Sequence, residues 1–445
     1  MNREDVVSVT IDRVGAEGDG IAVASDGATF YIPDTLPGEL VRAEKLGRRG
    51  DGWIARSDGI SRESEARVQP PCKHFGQCGG CVLQHWRDAE YRAWKTGLLE
   101  AALRRAGFDD PRIAPIQVTP PLSRRRMDLA VRRTPQGVAV GLHGRMIPSP
   151  AVREREKAPH PRATICDLTE CHVLHPALFT LVAPLRPMLT RLKSLRRDAS
   201  IVANLLDHGV DLLLRTDTPL DRADRERLID FARSQRLLRL STAPMQGEPE
   251  PVVILQPPPC ITLSGVTVEP PPGAFLQASH EGETAIVQAV LAGLPEKLPA
   301  RARVAELYAG SGSITFALAQ RVRVSAWEGD VAAAAALRQA ANRGDLAGRV
   351  TVAQRDLARQ PVPAAELSGF AAVVLDPPFA GAAAQMAQIS AAKPSPRVIY
   401  VSCNPAVLAR DARMLHDAGY KLLAATPVDQ FLWSARLESV VTFVR

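Results

Sequence analysis

At 445 residues the chain is too long for one hydrophobic core, and ordinary domain sizes predict two to four units. A hydrophobic fraction of 46%, the lack of any apolar run near the roughly 18 to 20 residues that span a bilayer, and a start (MNREDVVSVT) without the apolar core of a secretory signal exclude a membrane protein and leave a cytoplasmic one as the expectation. The net charge of +7 is concentrated between Leu122 and Arg162, ten Lys and Arg against three Asp and Glu, and an odd count of seven cysteines points to metal or catalysis rather than a disulfide framework.

Residues 1–62 read as short alternating strands separated by Gly-rich turns (VVSVTIDRV, GAEGDGIAVA, ATFYIP, ELVRAEKL, DGWIARS), the pattern of a small OB-like β-barrel. A cysteine group follows, Cys72-x5-Cys78-Gly-Gly-Cys81, and then a helix over residues 91–106 with Trp94, Leu98, Leu99, Ala102 and Leu103 on one face. Residues 63–266 form a central α+β unit of strand-like pieces (VAVGLH, DLLLRT, PVVILQ) and one clear helix, DRADRERLIDFARSQ. Within it SRRRMDLAVRR, Ser123 to Arg133, is a candidate contact for the phosphates of a polyanion. From 267 to 445 buried strands alternate with amphipathic helices, which predicts a parallel, doubly wound sheet of the Rossmann-like α/β class.

The chemistry sits at the strand ends of that last unit. In Glu306-Leu-Tyr-Ala-Gly310-Ser-Gly312-Ser313 glycines at a strand-to-helix turn allow a ligand close to the backbone, and the missing third glycine disfavours a dinucleotide. The next strands end in Glu328, Asp356 and Asp376. Three acids on one rim are hard to explain as packing and fit an adenosine ligand, with Glu328 accepting from the ribose hydroxyls. Gln277, in Phe275-Leu-Gln277, lies just before the first helix of the unit, where an amide can reach the methionine end of S-adenosylmethionine. Asp376-Pro377-Pro378-Phe379 by itself resembles the signature of amino methyltransferases acting on base nitrogens. The following strand end, Ser402-Cys403-Asn404-Pro405, favours instead a thiol nucleophile, because uracil C5 becomes nucleophilic only after something adds at C6. Glu438 is a candidate general base. Cys72, Cys78 and Cys81 offer three thiolates for a [4Fe-4S] cluster or, with His74 or His85 nearby, for zinc; Cys171 and Cys166 compete for the fourth place.

Taken together these motifs resemble the RNA m5U methyltransferase family, in particular its RlmD-like branch acting on 23S ribosomal RNA. The N-terminal GAEGDGIAV and IPDTLPGELV resemble a TRAM domain, an RNA-binding barrel; CKHFGQCGGCVLQH is similar to the family's iron–sulfur motif, and DLTECHVL to the segment of its fourth ligand, which favours Cys171. The resemblance implies an α/β class I methyltransferase fold with an N-terminal OB-like TRAM barrel and an iron–sulfur-bearing central α+β domain. It implies cofactor contacts at Gln277, Tyr308, Ser313, Glu328, Asp356 and Asp376, a nucleophile at Cys403, a base at Glu438, and a [4Fe-4S] cluster on Cys72, Cys78, Cys81 and Cys171. The implied partner is RNA, in a single-stranded or locally unfolded stretch, with no obligate protein partner; the tRNA-acting branch, the nitrogen methyltransferases and a catalytically dead RNA-binding module are the alternatives. The chain departs from the family pattern where DPPF replaces DPPR, where the His-bearing stretch before the last glutamate has become LWSAR, where YAGSGSI replaces a Cys- and Asn-bearing turn, and in a basic, Pro-rich insertion at 147–164.

Overall fold

A computed structural model describes residues 6–145 and 164–445. Of the insertion only Thr164 is among them. Among the described residues no helix is long and apolar enough to cross a membrane.

The first unit is a six-stranded sheet in the order Val6–Thr10, Leu40–Arg49, Gly52–Arg62, Thr29–Ile32, Gly20–Val23, Arg13–Val14. Its two long strands, Leu40–Arg49 and Gly52–Arg62, pair with register shifts at three places, and each such irregularity bends the ribbon. The bend curls the sheet over Val9, Phe30, Ile32, Val41 and Ala55. That is compatible with the OB-like barrel expected here.

The central unit is a seven-stranded sheet, Ile165–Asp167, Gly137–His143, Arg126–Thr134, Asp198–Leu206, Gly209–Thr216, Arg239–Pro244, Glu250–Ile254. Its one parallel pair is Gly209–Thr216 with Arg239–Pro244, joined through the helix Arg222–Ser234, whose first turn is capped by Asp221 accepting from the Asp224 N–H at 2.7 Å. This helix and Val182–Arg191 cover the sheet through Leu185, Leu189, Leu228 and Phe231.

The last unit carries an eight-stranded sheet in the order Val350–Gln354, Arg323–Glu328, Arg303–Leu307, Ala372–Leu375, Arg397–Ser402, Glu438–Val444, Lys421–Asp429, Gln117–Val118. The first five strands are parallel, and Glu438–Val444 alone runs against its neighbours Arg397–Ser402 and Lys421–Asp429. The strands Ala372–Leu375 and Val398–Ser402 are buried along their length because helices cover both faces. His280–Gly293, Ser313–Ala319 and Val331–Arg343 pack on one face. Ala383–Ala391, Pro405–Asp417 and the distant helix Asp88–Arg105 pack on the other. Strand order reverses between Arg303–Leu307 and Ala372–Leu375, and the crevice outside the carboxyl ends at such a reversal is where α/β sheets bind ligands.

Two buried ion pairs bolt the earlier chain onto this sheet. Lys95 Nζ donates to Asp429 Oδ1 at 2.9 Å, with both side chains inaccessible, and the Tyr91 hydroxyl donates to the same carboxylate. Arg125 donates to Glu283 Oε2 at 2.8 Å and to the Gln277 carbonyl at 3.1 Å. The hairpin Ile261–Leu263 and Val266–Val268 lies in the same core as the helices of the first face.

Candidate active site

The strand Arg303–Leu307 runs into a turn that leaves ordinary backbone space three times: Tyr308 has φ 65°, Gly310 φ 56° and Gly312 φ 104°. A side chain at Gly312 would also meet Leu337 and Phe316 at 2.6 Å, so this position needs glycine on two counts. Glu328, at the end of the neighbouring strand, fastens the turn: one carboxylate oxygen accepts from the Gly310 N–H at 2.7 Å and the other from the Asp330 N–H at 2.7 Å. Asp356 accepts from the Ala358 and Arg359 N–H groups and stays at the surface beside Arg359. Ser313 begins the next helix, and its hydroxyl donates to Glu283 at 2.8 Å. The ring of Tyr308 packs against the second core, and burial pushes its hydroxyl up to about 12.

Asp376, Gln277 and Glu438 are brought into one buried chain of hydrogen bonds, and its centre is a residue the sequence did not single out. Gln430 Nε2 donates to Gln277 Oε1 at 2.7 Å and to Glu438 Oε2 at 2.9 Å, while its Oε1 accepts from the Ala278 N–H at 2.9 Å. Gln277 Nε2 in turn donates to Asp376 Oδ2 at 3.0 Å. The second oxygen of Glu438 is buried without a partner. Burial dominates the acid–base state of this chain: it pushes Asp376 up to about 7 and, helped by the nearby Asp376 charge, Glu438 up to about 8. Glu306 lies beneath them, inaccessible, with one unpaired oxygen, and burial pushes it up to about 8. It too was not singled out, although an acid within an otherwise apolar strand is a visible anomaly.

Cys403 joins this group from the next strand end. Ser402 pairs with Ser439 in the antiparallel ladder, so one step further Cys403 and Glu438 stand opposite each other. Asn404 caps the helix Pro405–Asp417, accepting from the Ala406 and Val407 N–H groups, and its amide donates to the Phe379 carbonyl at 3.2 Å, which ties the Cys403 loop to the Asp376-Pro377-Pro378-Phe379 turn. Burial, reinforced by the charges of Glu438 and Asp376, pushes the Cys403 thiol up to about 12, and Arg436 works in the opposite direction. Arg436 lies over the exposed ring of Phe379, its guanidinium carbon 4.4 Å from the ring centroid.

A cavity of about 530 Å³ adjoins this region, sharing the segment Phe431 to Arg436. Cys72, Cys78, Cys81 and Cys171 all line it, and Cys166 does not. Burial pushes the thiols of Cys72 and Cys78 up, and that of Cys81 up to about 12. All seven cysteines are free, and among the described residues no three Cys, His, Asp or Glu side chains are drawn close enough to hold a metal ion. The ligand cage expected from the cysteine spacing is therefore not assembled as such: the four thiols share one cavity wall. Nor do the expected zinc alternatives stand ready, since His85 is buried with both ring nitrogens unpartnered and is lowered to about 3 by burial, while His74 bonds Thr169.

The basic run is corrected more sharply. Arg125 is spent on Glu283, Arg132 pairs with Asp198, and Arg133 donates to the carbonyls of Leu189, Thr190, Leu192 and Leu195 around the end of a helix. These three side chains hold the central unit and its junction with the last unit, whereas Arg124 and Arg126 of the same run line the cavity.

The family described as tRNA (Uracil-5-)-methyltransferase matches residues 283–445. An uncharacterised RNA methyltransferase of Brucella suis is 36% identical over 446 residues, covering 100% of this chain and 99% of the relative. The 23S rRNA (uracil(1939)-C(5))-methyltransferase RlmD of Bordetella avium is 34% identical over 454 residues, covering 97% and 90%. Among solved structures, the Pyrococcus abyssi tRNA (uracil-54, C5)-methyltransferase in complex with S-adenosyl-L-homocysteine superposes with a TM-score of 0.70 at 20% identity, covering 98% and 99%; at that identity the likeness shows the class I methyltransferase fold.

Proposed function

The chain belongs to the RNA uracil-C5 methyltransferase family, and on that premise we propose that it methylates a uridine of 23S ribosomal RNA from S-adenosylmethionine, through a covalent bond between Cys403 and uracil C6. The observation that carries the reading is the register that sets Cys403 opposite Glu438, with Asp376 and Gln277 in the same buried network. Choice of 23S rather than transfer RNA rests on the near full-length likeness to the Bordetella enzyme, which extends over the N-terminal barrel and the cysteine cavity.

S-Adenosylmethionine would lie along the crevice marked by Tyr308, Ser313, Glu328, Asp356 and Asp376, supplying the methyl group and a sulfonium charge near these acids. Glu328 keeps a lone pair on each oxygen for the ribose. Cys403, once its thiol has lost its proton to solvent, adds to C6 as the thiolate, and the electron pair displaced onto C5 takes the methyl group as its bond to sulfur breaks, leaving S-adenosylhomocysteine. Glu438 then takes the C5 proton; the pair left behind re-forms the C5–C6 double bond and expels the thiolate. A carboxylate held at about 8 suits this step, since a base works best with its pKa near the operating pH. The target base has to leave its stack to reach so enclosed a site.

The finer architecture follows the same reading: 1–62 a TRAM barrel, 63–266 a central RNA-binding unit, 267–445 the methyltransferase, with the helix Asp88–Arg105 and the hairpin ending at Val268 packed into the last unit. The donor set of Cys72, Cys78, Cys81 and Cys171 fits a [4Fe-4S] cluster in chemistry, as four thiols on one cavity wall, and the cluster would brace the central unit against Phe431 to Arg436. The cytoplasm is where such RNA is met.

The test is RNA carrying 5-fluorouridine at the target. Fluorine cannot leave as a proton does, so a Cys403-dependent adduct should accumulate with S-adenosylmethionine and survive a denaturing gel, while Cys403→Ala loses both adduct and turnover. Near-normal turnover of Cys403→Ala would overturn the covalent reading and return the DPPF turn to the role of a nitrogen-methylating motif.

A further inference from the structure

Two departures from the family pattern, far apart in sequence, meet in space. The turn after Asp376 carries Phe379 where an arginine is usual, and the stretch before Glu438 carries Arg436 where a histidine-bearing one is usual. In the folded chain the Arg436 guanidinium sits over the Phe379 ring, its carbon 4.4 Å from the centroid. Both side chains are exposed, although Arg436 stands only two residues before the buried Glu438.

The backbone of Arg436 is held fast. Its carbonyl accepts from Lys95 Nζ, itself buried against Asp429, and its N–H donates to Ser434 Oγ at 3.1 Å. Phe379 is held as well, because its carbonyl accepts from the Asn404 amide beside Cys403. The Arg436 guanidinium makes no hydrogen bond or ion pair among the described residues. A planar guanidinium resting on a phenyl face keeps its donors along the free edge in a fixed fork, an arrangement that matches the two oxygens of a phosphate. The same residue lines the adjoining cavity, whose wall also carries the guanidinium of Arg126, with its buried Nε unpartnered.

We propose that Arg436, laid on Phe379, binds a backbone phosphate of the RNA beside the uridine that reaches Cys403, restoring from the other side of the site the guanidinium that the turn after Asp376 lacks. The residue positions substrate; it does not touch the reacting atoms. This rests on the reading of the chain as an RNA uracil-C5 methyltransferase.

The experiment measures binding of unmodified 23S rRNA transcript across a salt series, next to turnover and S-adenosylmethionine affinity, for the wild type, Arg436→Ala, Arg436→Lys and the double variant Phe379→Arg/Arg436→Ala. Loss of a charge-assisted fork should weaken RNA binding and raise KM roughly ten-fold in Arg436→Ala. The slope of log K against log salt should flatten by about 0.7, the share of one phosphate on a single strand. Cofactor affinity should stay close to wild type, and turnover at saturating RNA should fall only as far as the lost Arg436 charge leaves Cys403 harder to ionise. Arg436→Lys should keep the slope and recover only part of the affinity, and the double variant should regain both. An unchanged slope in Arg436→Ala, a loss of cofactor affinity in parallel with RNA affinity, or a double variant as weak as Arg436→Ala would overturn the proposal. Wild-type enzyme that forms no 5-methyluridine on any RNA would instead overturn the reading beneath it.

Discussion

Replacing Gln430 by leucine removes the centre of the buried hydrogen-bond chain while leaving a side chain of similar bulk. Three bonds disappear together, those to Gln277 at 2.7 Å, to Glu438 at 2.9 Å and from Ala278 at 2.9 Å. Glu438 suffers most, because Gln430 is the hydrogen-bond donor to one of its oxygens and the other is already without a partner. A hydrogen bond to a buried charge is worth about 1.5–3 kcal/mol, and each pKa unit corresponds to about 1.4 kcal/mol, so losing it should lift the carboxyl by roughly one to two units. Starting from about 8, the base then titrates near pH 9 to 10. The carboxylate form that the proposed removal of the C5 proton needs predominates only above that pKa, so the loss of rate on lowering pH sets in earlier. At pH 7.5 the proton-removal step should slow about ten-fold or more, and the methylated adduct should accumulate on ordinary RNA. The assay is kcat against pH from 6.5 to 10 at saturating RNA and cofactor, with the adduct followed on denaturing gels. A variant whose acidic limb coincides with that of the wild type would refute the argument, since Glu438 would then not owe its ionisation to this amide.

Cys171→Ser should lose bound iron from anaerobically purified protein and Cys166→Ser should retain it, because only the former thiol shares the cavity with Cys72, Cys78 and Cys81; iron analysis checks this, and the opposite result would reassign the ligand. Arg125→Ala should lower the melting temperature by about 10 °C, since breaking a buried pair costs about 3–5 kcal/mol and leaves Glu283 uncompensated. Arg125→Leu with Glu283→Leu should recover much of that loss, and an Arg125→Ala protein as stable as the wild type would show that the pair contributes nothing.

The strands of the last unit were legible because a sheet covered on both faces demands runs such as FAAVVL and RVIYVS, which no amphipathic helix would tolerate. The rim acids and Cys403 were legible for a related reason: polar residues that terminate apolar runs stand at carboxyl edges. What a single sequence hides is partnership. Gln430 reads as an ordinary amide until the strand Lys421–Asp429 is known to end beside Gln277, 153 residues earlier. The basic run was legible only in part for the same reason, since a count of charges is blind to Glu283 lying 158 residues from Arg125. The central sheet was read only as scattered pieces, for its antiparallel order depends on pairings such as Ala199 with Val131 that local alternation does not specify.

The bolt between Lys95, Tyr91 and Asp429 sets an order of events during synthesis. The helix Asp88–Arg105 emerges some 330 residues before its counter-charge, a wait of about 15–60 s at ordinary elongation rates. Through that interval Lys95 keeps its water shell, and the helix lacks its buried counter-charge until the strand Lys421–Asp429 exists. The same late stretch of chain brings Gln430, Arg436 and Glu438. Docking of the early helix and arrival of Glu438 are thereby linked, so that on the proposed function the base would join Cys403 in the same step that seats the helix.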